Sequence, residues 1–336
     1  MQSFTYPRHS TQQLGAARCL SDLSLKIGML ALDRQDREPQ TEQELTQEQE
    51  CSTLPDTTTS SDICVDEQYW SSVLGSVGEE SLAEAHHADE PDDVLPELNV
   101  ESIHGFIGSD RHQTASGVPK QKVVARVSGT GLAPWEIHRP QKFVRDLVLR
   151  RCFSGRVLDA GCGIGDNALF VAKACPGAEV TAVDVVPRCL EFAAAKAGLR
   201  NMKSKVAMEV GDLLQQDPAR LPPALGPEND GSYAVVLDSS TFHCFSDADR
   251  ERYVATLRRL LKPGGVVYMN CMSEEETRPG GPRRISIPDL LTVFNRPNGW
   301  EVETIEDSII EVHPTFWGGR CKARLFTIRK LEGYGS

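Results

Sequence analysis

The eleven residues from Arg156 to Asp166, RVLDAGCGIGD, restrict what this chain can fold into more than any other stretch of it. Val157 and Leu158 read as the inside of a short buried strand. Asp159 follows, and then Gly161, Gly163 and Gly165 at alternate positions, with the helix-like run NALFVAKA directly after. A strand, a glycine-rich turn and a helix N-terminus in that order make a cradle for an adenosyl ligand. The glycines let the backbone approach closely, and the free amides of the helix start face the ligand. The spacing narrows the choice. A dinucleotide fingerprint is G-x-G-x-x-G, which sets helix amides on a pyrophosphate. Here the pattern is D-x-G-x-G-x-G, and a carboxylate two residues before the first glycine would repel a pyrophosphate. A nicotinamide dehydrogenase is disfavoured on that ground.

The same carboxylate suits the cationic methionine end of S-adenosylmethionine. Two further elements fall at matching distances. EVTAVDVVPRCLEF reads as a strand, Asp184, and a helix opened by Pro187, a favoured first-turn residue. Asp184 lies about 20 residues beyond the glycines, where an acid at a strand end can bond both ribose hydroxyls. VAMEVGDLL is a third strand, ending in Gly211, Asp212 and Leu213. These three strand ends resemble the class I S-adenosylmethionine-dependent methyltransferases, whose motif I is similar to the glycine turn. The resemblance implies that Asp159, Gly161, Gly163 and Gly165 hold the methionine end and that Asp212 and Leu213 contact the adenine.

Charge divides the chain. Of its 336 residues, 1–120 carry 22 acidic and 7 basic side chains, and the remainder 26 and 29. Segments such as QTEQELTQEQE bury too little apolar surface to offset their ordering entropy. Residues 1–126 are therefore expected to be a disordered acidic arm, with a protein partner as its possible role, and 127–332 a folded domain. Leu23–Leu32 and Glu67–Val77 are the arm's two apolar stretches, candidate transient helices or docking elements. The first 21 residues lack acids and include Arg8 and Arg18, a faint transit-peptide character. An acidic arm on a near-neutral domain gives no electrostatic case for nucleic acid, and no apolar run reaches the ~20 residues needed to cross a bilayer. The ten cysteines show no paired metal-ligand spacing and read as reduced thiols of a cytoplasmic protein, with no metal site.

From Val127 on, strands alternate with helices. Strands are expected at 156–159, 179–184, 205–210, 233–240 and 266–272. Helices are expected over 167–174, 187–197, 247–261 (stopped by Lys262-Pro263-Gly264-Gly265) and near 287–294. An amphipathic helix carrying Phe143, Val144, Leu147 and Val148 on one face precedes them. Two closing strands, 300–312 and 322–331, are joined by a short loop with Gly318-Gly319 and should pair as a hairpin. The fold class is α/β: a Rossmann-like, doubly wound, mostly parallel seven-stranded sheet with an antiparallel final strand. The family resemblance covers 130–332.

Two segments narrow the resemblance. APWEIHRPQ is similar to the lead-in segment, and DSSTFHCF to the segment after strand four, of small-molecule methyltransferases acting on thiols, thiopurines and halides. Glu136 stands where those enzymes usually carry Asp, and His138 where Gly is common. Trp135 is expected to close over the cofactor, an aromatic face attracting a sulfonium by roughly 0.5–2 kcal/mol. Asp166 reads as an N-cap. Asp238 opens the segment facing the transferred methyl and can be either catalytic or a turn former. His243 is the nearest candidate base, or a core histidine that orients its loop. Cys244 and Cys271 could contact a soft metalloid, or fill the core. The expected function is methyl transfer from S-adenosylmethionine to a small-molecule thiol or similarly soft nucleophile. Two alternatives stand: an O- or N-methyltransferase of a small metabolite, and a non-catalytic cofactor-binding regulatory module.

Overall fold

Val157 and Leu158 alternate across β1 (Gly155–Ala160) and enter different apolar clusters, so this strand is covered on both faces. The computed structural model describes residues 97–333. Its further strands are β2 (Ala178–Asp184), β3 (Val206–Val210), β4 (Tyr233–Ser239), β5 (Leu261–Met272), β6 (Trp300–Glu311) and β7 (Arg320–Lys330). They form one sheet in the order β3-β2-β1-β4-β5-β7-β6, parallel through β5 and antiparallel at β7 and β6. The hairpin expected at the end forms, with β7 slotted between β5 and β6.

Helices cover both faces. In chain order they are α1 (Val100–Gly108), α2 (Gln121–Val127), α3 (Lys142–Leu149), α4 (Asp166–Ala174), α5 (Pro187–Leu199), α6 (Asp247–Leu260) and α7 (Ile287–Val293). One face packs Phe143, Val144 and Leu147 of α3 with Leu169 of α4 and Leu190 of α5. The other packs Tyr253 and Leu257 of α6 with Leu290 of α7 and Trp300. Among the described residues, no helix is long and apolar enough to cross a membrane.

Two expectations are corrected. Lys262-Pro263-Gly264-Gly265 ends α6 but does not separate it from the next strand. Leu261 already pairs with Tyr233, and the four residues form an irregularity before Val266 pairs with Val235. Lys330 holds the turn by donating from Nζ to the carbonyls of Arg258 and Leu261 at 2.6 and 2.7 Å. A cation suits the carbonyl end of a helix.

The second correction concerns residues 97–126, which the sequence assigns to the arm. They form α1 and α2, and Ile103, Phe106 and Ile107 pack with Val123, Val127 and Ala133 in a cluster of their own. Asn99 caps α1, its Oδ1 accepting the Ser102 amide at 2.9 Å. The stretches Leu23–Leu32 and Glu67–Val77, like the rest of 1–96, lie outside the described residues.

Candidate active site

The chain leaves β1 towards β2 and β3, then returns to β4 on the other side of β1. Where strand order reverses in this way, the carboxyl ends part and leave a crevice. A cavity of about 620 Å³ occupies it, a size that buries most of a drug-sized ligand. The glycine turn forms one wall. Gly161, Gly163 and Gly165 all take left-handed φ values, 74°, 51° and 77°. A Cβ on Gly161 would lie 2.2 Å from Thr241 Oγ1, and that hydroxyl donates to the Ala160 carbonyl at 2.7 Å. Only glycine lets the turn and the loop after β4 meet so closely. A Cβ on Gly163 would meet nothing within 4 Å, and this residue lines the cavity. Gly165 is the N-cap of α4, so Asp166 is not. It is the first residue of α4 and pairs with Lys196 Nζ at 2.8 Å.

The acids predicted at the strand ends gather here. Asp184 lines the cavity and accepts the Gly163 amide at 2.8 Å and the Val186 amide at 2.9 Å, one on each oxygen. Burial pushes its carboxyl up from the usual range, and the two amides oppose that. Asp212 also lines the cavity. Its Oδ1 accepts the Leu214 amide at 2.8 Å, whereas Oδ2 is buried without a partner. Leu213 is buried beside it. Asp159 is fully buried behind the turn, neither oxygen making a hydrogen bond of good geometry. Burial, then the Asp184 charge, pushes it up to about 7, with the Ala168 amide offering partial relief.

Glu136 folds the lead-in segment. Its buried carboxylate accepts the amides of Gly129, Gly131 and Ala133 at 2.5, 2.7 and 3.3 Å. Arg188 of α5 ties the same strap down through the carbonyls of Ser128 and Arg126. Trp135 is thereby held half-buried against the α1–α2 cluster and in the cavity wall. His138 sits at φ 57°, a left-handed value that favours glycine. Its Nε2 lies 2.7 Å from the Gly131 carbonyl.

The loop after β4 differs most from expectation. Asp238 is fully buried with both oxygens engaged, accepting from the amides of Thr241 and Phe242 and from the Tyr253 hydroxyl at 2.8 Å. Burial pushes it up to about 6. This is the turn former of the two readings, acting on its loop and not on a ligand. His243 lines the cavity, but its Nδ1 accepts the Met272 amide at 3.0 Å. Burial, then the nearby Arg284 and Arg250 charges, pulls it down to about 3, and the Ser240 carbonyl pulls the other way. A neutral ring that accepts at Nδ1 carries its hydrogen on Nε2. Neither its tautomer nor its proton affinity suits the predicted base, so that expectation is corrected to a loop-orienting histidine. Cys244 lines the cavity with its thiol pushed up to about 12 by burial. Cys271 is core. Among the described residues, no group of three or more His, Cys, Asp or Glu could hold a metal ion.

The methyltransferase-domain family matches residues 157–265, the span from β1 into β5. A 2-heptyl-1-hydroxyquinolin-4(1H)-one methyltransferase of Mycobacteroides abscessus is 28% identical over 177 residues, covering 51% of this chain and 70% of its own. A probable thiol methyltransferase of Arabidopsis thaliana is 25% identical over 185 residues, covering 55% and 76%. A protein solved in work on the conversion of a disulfide bond into a thioacetal group during echinomycin biosynthesis aligns at 25% identity. It covers 60% of this chain and 86% of its own, with a TM-score of 0.51. Residues 157–265 thus form a methyltransferase domain, similar to those of the class I S-adenosylmethionine-dependent methyltransferases.

The chemistry of the methyltransferase cavity fits that cofactor. A ligand with an ammonium, a ribose diol and an adenine amine needs acceptors at separate points. The unsatisfied Oδ2 of Asp212 and the carboxylate of Asp184 supply two in the cavity wall, and Asp159, with neither oxygen bonded, is buried behind the glycine turn. The wall opposite was not read from the sequence. It comes from Ile107 of α1, Val124 of α2 and the 312–317 turn. The apolar spacing of Ile103, Phe106 and Ile107 was the available signal.

Proposed function

We propose that this methyltransferase acts on a small molecule whose nucleophile is a thiol or a similarly soft, readily ionised group. The observation that carries this reading is the Met272 amide on Nδ1 of His243, which leaves the histidine nearest the reaction end unfit to take a proton. Three other acids of the cavity wall are engaged as well: Glu136 by three amides, Asp184 by two and Asp166 by Lys196, while Asp212 keeps one oxygen for the cofactor and Asp110 is exposed. With His243 unfit as a base, an acceptor that arrives already ionised suits the site best. A thiol does so near neutral pH by giving its proton to solvent, whereas an alcohol does not.

In this reading Asp184 holds the ribose hydroxyls, Asp212 and Leu213 the adenine, and Asp159 the methionine ammonium. Gly161, Gly163 and Gly165 allow the backbone to approach, and Trp135 covers the site. Bound S-adenosylmethionine supplies an electrophilic methyl carbon, so the protein's part is alignment and exclusion of water. The strap held by Glu136 and Arg188 supports both. The relatives named for thiols and for a 1-hydroxyquinolone support an acidic nucleophile in general. An acidic N-hydroxyl meets the same requirement as a thiol.

The test is methyl transfer from isotopically labelled cofactor to matched thiols, phenols, N-hydroxy heterocycles and amines. Label on thiols or acidic N-hydroxyls, with rates following the acceptor's own ionisation, is the expected result. Label on amines or unactivated alcohols alone would overturn the reading.

A further inference from the structure

The cavity extends well past the residues assigned to the cofactor, and its far walls have a different chemistry. They are formed by Ile107 of α1, Val124 of α2, Met272 at the end of β5, Ile310 of β6, and Val312 and Phe316 of the β6–β7 turn. All six are apolar, and they come from five separate parts of the fold. Except for the cavity's shared floor, these elements lie outside the 157–265 span that matches the methyltransferase-domain family.

The charged groups around this space have their hydrogen bonds made within the fold. Arg278 clamps the Glu276 carboxylate and donates to the carbonyls of Trp317 and Arg320. Arg284 donates to the carbonyls of Glu276, Gly280 and Pro282 at 3.1, 2.6 and 2.7 Å. Glu311 is paired with Arg139 and Arg145. Both Arg278 and Arg284 also lie over the Trp317 ring, at 5.4 and 5.8 Å. These side chains already hold their hydrogen-bond partners, while an apolar acceptor body would dehydrate the walls it touches.

The two sides of the space are fastened together. His104 of α1 reaches the Thr315 hydroxyl through Nδ1 at 3.1 Å, and His313 reaches the same hydroxyl at 2.7 Å. The His313 amide donates to the Pro134 carbonyl at 2.7 Å. A chamber built this way is formed before its ligand arrives, which lowers the ordering cost of binding.

We infer that this chamber is the acceptor subsite and takes an uncharged apolar body, alkyl or aryl and larger than a two- or three-carbon thiol, joined to the reacting group. The inference deepens the function proposed above and rests on it for the place of methyl transfer. Hydrosulfide, halides and short hydroxylated thiols would leave the apolar surface that lines the chamber, above all at Val124 and Phe316, in contact with water.

The test uses the full chain saturated with S-adenosylhomocysteine. Calorimetry measures the binding of methyl thioethers from ethyl to octyl, with methylthiobenzene, methylthionaphthalene and the thioether of 2-mercaptoethanol. Affinity should rise about three- to fourfold per methylene, the value for moving a methylene out of water. Val124→Asp and Phe316→Ala should each cut that gain at least threefold per two carbons. Both should keep the native dissociation constant for S-adenosylhomocysteine, which shows that the variants are folded. Affinity independent of carbon number, or tightest for the mercaptoethanol derivative, would overturn the chamber. The thiol reading is judged separately. The same carbon series bound normally by a protein that methylates phenols but never thiols would uphold the chamber and overturn the thiol.

Discussion

Nδ1 of His243 accepts the Met272 amide hydrogen at 3.0 Å, so this cavity-lining histidine is anchored to the backbone at the end of β5. Its role is therefore to orient the loop after β4. Asparagine can offer an oxygen to the same amide. With a thiol acceptor, His243→Asn should lower kcat by less than about tenfold, far short of the 10²–10⁴-fold typical of a lost general base. The rate profile against pH should follow the acceptor's ionisation in both proteins. An enzyme group titrating near ~6.5 that vanishes in the variant would contradict this.

The same histidine makes a prediction about acid. Its folded value is drawn down to about 3 from the ordinary 6.5, so the folded state keeps the ring neutral where the unfolded chain protonates it. Its contribution to stability is complete above pH 6.5 and is lost as pH falls from there towards 3. His243→Asn should flatten that limb, each pH unit across it being worth about 1.4 kcal/mol. Urea unfolding at pH 7, 5.5 and 4.5 measures it, and identical slopes in the two proteins would refute the assignment.

Asp159 runs in the opposite direction. Its carboxyl rises to about 7 in the folded protein from an ordinary 3.8, so the native state prefers it protonated. That stability is present at low pH and is lost as pH climbs from 3.8 through 7. Without cofactor at pH 8, Asp159→Asn should stabilise the protein by about 1–3 kcal/mol, and the advantage should vanish near pH 4. The same substitution should weaken S-adenosylmethionine binding by about 1–3 kcal/mol, as for a lost charge-assisted bond. Thermal melts at the two pH values and calorimetric titration read the two effects. A variant less stable at pH 8 would show that the buried charge is compensated.

Asp184 already supports the Gly163 and Val186 amides, one on each oxygen. Asp184→Asn keeps its volume but cannot accept from both amides. Cofactor affinity should drop by roughly 1.5–3 kcal/mol, and NADH should compete with neither protein. Unchanged affinity in calorimetry would remove Asp184 from the ribose assignment.

The parts of this fold that were legible in the sequence are those whose determinants are local. β1 to β5 are short apolar runs bounded by turn residues, and β1's end, with its three glycines, carries its chemistry in eleven consecutive residues. What escaped depends on distant partners. Ile103, Phe106 and Ile107 sit in a nine-residue helix amid polar neighbours, and become core only against Val123, Val127 and Ala133. Lys262-Pro263-Gly264-Gly265 breaks a helix by any local rule. That the chain turns straight into β5 depends on Lys330, about 70 residues on. His243 next to a methyl-transfer loop suggests a base until Met272, 29 residues away, is seen to occupy its nitrogen. Glu136 showed itself only as an Asp replaced by a longer acid, and His138 only as a residue where glycine is usual. The three amides on Glu136 and the φ of 57° at His138 give each a physical meaning.

The insertion of β7 between β5 and β6 has a consequence for synthesis on the ribosome. Among the described strands, the one that completes the sheet is the last to be made, and β6 pairs with no other strand. Until residue 330 has left the exit tunnel, β5 ends the nascent sheet with one row of amides and carbonyls unpaired, an edge open to other strands. Loss of β7 would not merely trim this sheet. It would strip β6 of its strand partner and leave it held by contacts such as those of Glu311 with Arg139 and Arg145.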